Sequence, residues 1–252
     1  MAASRDARDA HRAFFAGGDR AFVPHLSVDC VILGFHAGEL KVLLLRWKGS
    51  DAWSLPGGFV REKEPLDRAA ERVLRERTGL DRIYLRQFHA FGGTHRRESA
   101  LRPIFRALGV AVPKNHWLLR RIVSVAYVAL VDFAEATPAP DAVSEECRWW
   151  DLHERPPLLF DHEEILAGGL ATIRERLAAA EPDATRMAAS LLPDRFSKPE
   201  LQRVYEAVLG RSLDRRNFQK TMLERGLVVR SSARELGVRQ RARYLYRFAA
   251  RR

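Results

Sequence analysis

The sequence predicts an α/β sandwich built on a mixed sheet, followed by a smaller and strongly basic helix-and-strand module. Three observations carry that expectation. Apolar, β-branched runs recur through the first 150 residues with few helical stretches between them, the pattern of a mixed sheet covered by helices. At 252 residues the chain fits one large domain or two unequal ones, at roughly 100–200 residues per domain. The net charge of +11 is unevenly placed: residues 190–252 hold 16 Lys/Arg against 6 Asp/Glu, whereas residues 1–189 hold 27 against 26. A basic module attached to a neutral one points to a polyanionic partner.

Composition excludes several classes. Apolar residues make up 46% of the chain, enough for a normal core. No apolar run approaches the ~18 residues of a membrane span, so no membrane partner is expected. The opening MAASRDARDAHRAFF has no apolar signal core and carries Asp6 and Asp9, which reads as mature cytoplasmic sequence. Cys30 and Cys147 lie in apolar, strand-like stretches and read as buried free thiols.

In order along the chain, Leu26–Phe35 and Glu39–Trp47 flank His36-Ala37-Gly38 and read as a hairpin. Trp53–Val60 carries glycines into a helix at Pro65–Arg77, where Ala69, Val73 and Leu74 share an apolar stripe. Gly79 suits the turn just past that helix. Ile83–Gly92, Ile122–Phe133 and Glu146–Leu152 are further strands. Residues 94–121 interrupt two of them with seven Lys/Arg, one Glu and apolar Ile104, Phe105, Leu108, Trp117 and Leu118. They read as an insertion that packs on the domain or a partner subunit, or as a lid or effector-binding element. Trp149-Trp150 reads as strand and core packing, with base stacking as the alternative. Asp161–Ala180 is a helix, and Glu181–Pro193, with two prolines and little periodicity, reads as a linker.

The basic module begins with a capping box, Ser197-Lys198-Pro199-Glu200. Its first helix carries Leu201, Val204, Tyr205, Val208 and Leu209 on one face. Asp214 caps a second helix, Arg215–Arg225, with Phe218 and Met222 inward and Arg215, Arg216, Gln219 and Lys220 outward. Leu227–Arg230, an Arg-rich loop and a strand at Tyr244–Phe248 follow. Helix, turn, basic helix, strand, basic loop, strand is the order of a winged helix. Such a second helix lies in a DNA major groove, which assigns Arg215, Arg216, Asn217 and Lys220 to the groove. The loop residues Arg234, Arg239, Arg241 and Arg243 reach phosphates or a minor groove. The expected partner is double-stranded operator DNA, bound by a homodimer because one winged helix reads only a short half-site.

Residues 58–80, GFVREKEPLDRAAERVLRERTGL, resemble the Nudix box, the metal-pyrophosphate motif of nucleoside diphosphate hydrolases. Gly58, Glu64, Arg72, Leu74, Glu76, Gly79 and Leu80 fit it. Val73 and Arg77 stand where the family places Glu, so two of the three carboxylates of the metal-binding face are missing. The two halves together resemble the Nudix-related transcriptional regulators, which join a Nudix-like effector domain to a C-terminal winged helix and include NAD-metabolism repressors and arabinose regulators. The markers are DCVILGF (29–35), LKVLLLRW (40–47), WSLPGGFV (53–60), the altered box, RIVSVAYVALVDF (121–133), LLFDHEEIL (158–166) and LDRRNFQKTMLERGLV (213–228). The insertion at 94–121 goes beyond shorter members.

The resemblance implies a Nudix α/β/α sandwich and a winged helix. It places an effector-binding and dimerisation domain at 1–185, with a core at about 24–180, and a DNA-binding domain at 190–252. It implies a regulator whose sensor binds an ADP-ribose-like or pentose-like metabolite, with no cofactor required. The alternative is an active hydrolase of ADP-ribose or a related nucleoside diphosphate compound, which would need Mg2+. A hard cation wants several oxygen ligands, and the box leaves Glu76 as a weak lone candidate; Glu76 reads better as an i,i+4 ion pair with Arg72. Spacing does not bring Glu62, Glu145 or Glu146 to it as replacement ligands. The small-molecule effector set is Arg72, Glu76, Arg77, Asp161 and His162. Asp161 reads equally as a helix N-cap. Arg77 either takes the place of the metal and pairs with a phosphate or is a surface residue without a role.

Overall fold

A computed structural model describes residues 21–81, 83–93, 98–107, 109, 111, 113, 116–133, 144–235 and 243–249; for 98–100, 107, 182, 232–235 and 243 the description covers backbone alone. The chain forms two compact units. The larger takes the described residues up to Leu33, Lys41–Ala129 and Ser144–Gly169; the smaller takes Gly34–Leu40, Leu130 to Phe133, and the chain from Leu170.

The larger unit is built on a mixed sheet. β1 (Phe22–His36), β2 (Glu39–Trp47), β3 (Trp53–Ser54), β4 (Gly57–Arg61), β5 (Arg86–Phe91), β6 (Val123–Asp132) and β7 (Ser144–Asp151) run in the order β3-β2-β1-β6-β5, with β4 added to β1 and β7 to β2. Val28 and Cys30 to Leu33 of β1, Val42 to Leu45 of β2 and Val125 to Val131 of β6 are buried, so these central strands read as continuous apolar runs. The β1–β2 turn has positive φ at Ala37 (52°) and Gly38 (90°), the geometry that matches strand twist in a tight hairpin.

Helices cover both faces. α1 (Leu66–Thr78) buries Ala69, Ala70, Val73 and Leu74, and Tyr127 of β6 donates to its Asp67 at 2.8 Å. It ends at Gly79, φ 74°, whose N–H reaches the Arg75 carbonyl. α2 (Glu98–Ala107) and a 3-10 turn (Trp117–Leu119) lie in the insertion, with Phe105 and Leu118 packed against Phe59, Leu101, Trp117 and Leu119. The insertion thus packs on the domain; Leu108 lies outside the described residues. α3 (His162–Ala178) meets the other face of the sheet through His162 and buried Ile165 and Leu166. Cys30 and Cys147 are free and buried, and burial pushes the Cys30 thiol up.

The smaller unit holds α4 (Pro182–Ala189) and, after it, the winged helix: α5 (Lys198–Leu209), α6 (Arg215–Glu224), β8 (Val228–Glu235) and β9 (Arg243–Phe248). The capping box at Ser197 and Glu200 is fully formed. Phe196 makes a third strand position, exchanging backbone bonds of 2.9 and 2.7 Å with Tyr246. The core is Leu201, Val204, Tyr205, Val208, Met222, Val228 and Phe196. Glu206 accepts from the Leu213 N–H at 2.9 Å and from Gln202 at 3.0 Å, which fixes the turn between α5 and α6.

The segment expected to be a linker contains α4. Its Pro182 sits in the first turn, where a missing N–H breaks no bond, and Ala184, Met187 and Ala188 are buried. Proline marked a helix start there, not a stop. Arg234 pairs with Tyr244 within the β8–β9 ladder instead of lying in a loop, and Gln219 is half-buried instead of outward. Among the described residues, no helix is long and apolar enough to cross a membrane.

Candidate functional site: a box without its acidic face, and a basic helix

The loop into α1 is tied down by one guanidinium. Arg72 Nε and Nη2 each donate to a Glu64 oxygen at 2.7 Å, Nη2 also reaches the Phe59 carbonyl at 2.8 Å, and Nη1 donates to Glu76 at 2.8 Å. Arg61 approaches the other Glu76 oxygen at 3.2 Å. The Arg72 hydrogen bonds hold the Glu64 carboxyl below the usual carboxylate range. Glu64 reaches back to the Arg61 N–H as well.

The positions where the family places Glu do different work. Val73 is 1% exposed and packs on Gly58, where an added Cβ would come within 2.9 Å of its Cγ2. Arg77 Nε donates to the Gly57 carbonyl at 3.0 Å, and its side chain borders a pocket.

That pocket lies within the larger unit and opens to solvent. Phe59, Leu101, Phe105, Leu118, Ile122 and Phe160 line much of it. Its polar members include Ser27 and Asp29 of β1, His162 of α3, and the cations Arg77 and Arg120. The ladder places Ser27 opposite Phe59 and Asp29 opposite Gly57. Asp29 is buried; its Oδ2 accepts from Ser124, and its Oδ1 lies 3.4 Å from His162 Nε2. His162 Nδ1 accepts from the Leu55 N–H at 2.9 Å, so the ring hydrogen belongs on Nε2, facing Asp29. A Cβ at Gly57 would stand 1.9 Å from Asp29 Oδ1; only glycine lets the backbone pass that carboxylate.

Of the effector residues expected from sequence, Arg77 and His162 meet at this pocket. Arg72 and Glu76 do not line it and serve the loop. Asp161 does not line it either; its carbonyl accepts from the Ile165 N–H at 3.0 Å, closing the first turn of α3. Ser27, Asp29, Phe59 and Arg120 went unread. The signal was there for two of them: Ser27 and Asp29 are polar residues on alternate positions of the apolar run Leu26–Phe35.

A divalent cation does not fit this box. Both Glu64 oxygens are paired with Arg72, Glu76 sits between two guanidiniums, and Val73 and Arg77 supply no anionic oxygen, whereas a hard cation needs several. Glu145 and Glu146 pair with Arg46 at 3.2 and 2.8 Å, on β7. No cluster of three His, Cys, Asp or Glu that could hold a metal occurs among the described residues. Trp150 packs edge-on to Trp53 at 5.1 Å, with Arg148 over its face at 3.9 Å, which is strand packing.

In the smaller unit, Asp214 caps α6 through the Asn217 N–H at 2.8 Å. Arg215, Arg216, Asn217 and Lys220 are exposed together on α6, with Met222 and Phe218 turned inward, Phe218 5.1 Å from Tyr205. Lys220 also lies 3.8 Å from Glu224. Arg239 and Arg241 lie outside the described residues, and Arg243 opens β9 opposite Glu235. Arg230 stacks on Tyr244 at 3.2 Å.

Known proteins give this arrangement a context. Residues 23–168 match the NUDIX domain, and residues 188–248 match the NrtR DNA-binding winged helix domain. The chain is 30% identical over 233 residues, 90% of its length and 82% of the relative's, to the ADPR responsive transcriptional repressor NtrR of Acinetobacter baylyi. It is similar to the crystal structure of Shewanella oneidensis NrtR, with a TM-score of 0.64, 26% identity, and 89% of this chain and 94% of that one covered. The same Shewanella oneidensis protein complexed with a 27mer DNA matches with a TM-score of 0.62 at 26% identity, covering 89% and 93%.

Proposed function

This chain belongs to the NrtR-type transcriptional regulators, ligand-responsive proteins in which a Nudix-like sensor domain is joined to a DNA-binding winged helix, and on that premise we propose that its sensor binds an ADP-ribose-like nucleotide sugar without a metal and without cleaving it. The observation that carries this is Arg77. It stands at a position where the box needs a carboxylate, is anchored by Nε to the Gly57 carbonyl and borders the pocket. A guanidinium pairs directly with phosphate oxygens through its planar fork, so it supplies charge that magnesium supplies in a hydrolase. Hydrolysis needs a metal-activated water, and the box offers no carboxylate set to hold the metal. Effector binding in the pocket alters the affinity for operator DNA held by Arg215, Arg216, Asn217 and Lys220, with Arg239, Arg241 and Arg243 on the backbone. Residues 1–185 serve effector binding and dimerisation, the latter including 94–121, and residues 190–252 serve DNA.

Calorimetric titration of ADP-ribose in excess EDTA, for the wild type and Arg77→Ala, tests the reading. Metal-free binding weakened in the variant is expected. Binding that needs magnesium, release of AMP from ADP-ribose with magnesium or manganese, or an unchanged affinity in Arg77→Ala would overturn it. Light scattering at micromolar concentration should give a dimer, and a monomer with and without DNA would defeat that part.

A further inference from the structure

The winged-helix match begins at residue 188, yet the smaller unit takes the chain from Leu170, and so includes the end of α3. That end lines no part of the pocket described above. It makes two bonds to the helices that follow.

The first bond is at the end of α5. The last four carbonyls of a helix have no partner within it. Arg174 Nε donates to one of them, that of Val208, at 2.9 Å. The guanidinium sits against the cap glycine: a Cβ at Gly210, φ 69°, would stand 3.0 Å from Arg174 Nη2. A cation there also meets the negative end of the helix dipole. Gly210 opens the turn into α6. The later residues of that turn are fixed by Glu206, which accepts from the Leu213 N–H, and by the Asp214 cap.

The second bond is at the end of α6. Arg225, its C-cap residue, donates from Nη1 to the Ala179 carbonyl at 3.1 Å. A tight helix end presents that carbonyl. The Ala180 N–H reaches the Leu177 carbonyl at 3.0 Å and the Glu181 N–H reaches the Arg176 carbonyl at 2.9 Å, the closure that usually takes glycine at its left-handed position. Here Ala180 takes it, at φ 53°, a conformation that costs an L-residue energy. Arg176 and Glu181 tie the same end together at 3.0 Å.

Helix α3 thus braces α6 twice, through the turn that leads into it and at its own C-terminus. Asp214 and Arg225 lie about 16 Å apart along the axis at 1.5 Å per residue. Two grips so spaced fix the direction of the helix as well as its place. Hydrogen bonds to base edges need short, near-linear geometry. Attraction to phosphates is independent of sequence and carries no such demand.

We propose that Arg174 and Arg225 are positioning residues for DNA reading, which brace α6 against the end of α3, so that the DNA-binding unit reaches back to that helix instead of starting at 190. Neither contacts DNA in this assignment. They set the angle at which α6 enters the groove, and so act on sequence discrimination and not on phosphate attraction. This rests on the assignment of α6 to the groove.

Full-length wild type, Arg174→Ala, Arg174→Lys, Arg225→Ala and Arg216→Ala are titrated over a salt series with two duplexes, one selected by the wild type from a random pool and one scrambled. Arg174→Ala and Arg225→Ala should each weaken the selected duplex by about five- to tenfold, the lower part of the range for one base contact. The scrambled duplex and both salt slopes should stay unchanged. Arg174→Lys, which keeps a donor and a charge at the end of α5, should recover part of the loss. A merely structural role would lower the melting temperature and leave the ratio of the two affinities as in the wild type, which would overturn the brace. Equal losses on both duplexes, or a salt slope reduced by about one unit, would mark a phosphate contact and overturn it as well. Arg225→Ala removes an exposed side chain, so it decides the matter even where Arg174→Ala does not fold. Wild-type affinity in Arg216→Ala would remove the groove assignment itself. A loss there, with wild-type discrimination in Arg174→Ala and Arg225→Ala, would remove the brace alone.

Discussion

Arg72 grips Glu64 with two parallel hydrogen bonds of 2.7 Å, one to each carboxylate oxygen. The two side chains are 10% and 13% exposed, so the pair is close to buried. Because Arg72 also donates to the Phe59 carbonyl and to Glu76, it joins the start of the box loop to its helix. The box keeps its geometry for this reason even though its acidic face is absent.

Arg72→Ala should therefore destabilise the protein by about 3 kcal/mol, the range for removing one partner of a buried pair. It strands the Glu64 carboxylate and leaves the Phe59 carbonyl without this donor. Urea unfolding measures it; a loss below about 1 kcal/mol, the surface-pair range, would show that the pair is not a structural clasp.

The same pair sets an acid dependence. The Arg72 hydrogen bonds hold the Glu64 carboxyl below its ordinary 4.5. A depressed carboxylate contributes stability that is fully present above the unfolded value and is lost as pH falls through the lower folded value. Unfolding free energy should thus decline below about pH 4.5, and Glu64→Gln should flatten that part of the curve. Identical pH profiles for wild type and variant would contradict the assignment.

Divalent cations should leave the folded state unaltered. A ligand bound only by the native state at a hundredfold its dissociation constant raises stability by about 2.7 kcal/mol. Magnesium or manganese in the millimolar range should give no such rise in melting temperature, and a concentration-dependent rise would reveal an acidic site that the box does not form.

On DNA, Arg216→Ala should lose about 1–3 kcal/mol of binding to the promoter if Arg216 reads a base, and discrimination should relax at that position. Arg241→Ala should weaken binding to every sequence and reduce the salt slope by about one unit. Wild-type binding by both variants, followed by fluorescence anisotropy over a salt series, would refute the division between groove and backbone contacts.

Much of the architecture was legible because its signals are local. The capping box at Ser197, the Asp214 cap and the stripe of Ala69, Val73 and Leu74 fix helices by spacing alone, and they form as expected. α4 was hidden because Pro182 reads as a breaker in a segment of weak periodicity, although proline is compatible with a first turn. The pocket was only half legible. Arg77 carried a family position that flagged it, whereas Ser27, Asp29 and Phe59 are brought together by β1–β4 register, which spacing along one strand does not reveal. The Arg72–Glu76 pair was readable as i,i+4 neighbours; the stronger Arg72–Glu64 contact crosses the loop and needed the fold.

Val73 filling the space against Gly58 bears on the history open to this chain. A glutamate arriving alone at 73 would place a charge in occupied, dry space. A glutamate arriving alone at 77 would give up the Arg77 anchor on Gly57 while the face still lacked its third carboxylate. Neither step is an improvement until the other is present, and Arg61 and Arg72 would compete for the new anions as well. A metal-holding box therefore needs both changes together, with room made at Gly58 and the two guanidiniums turned aside.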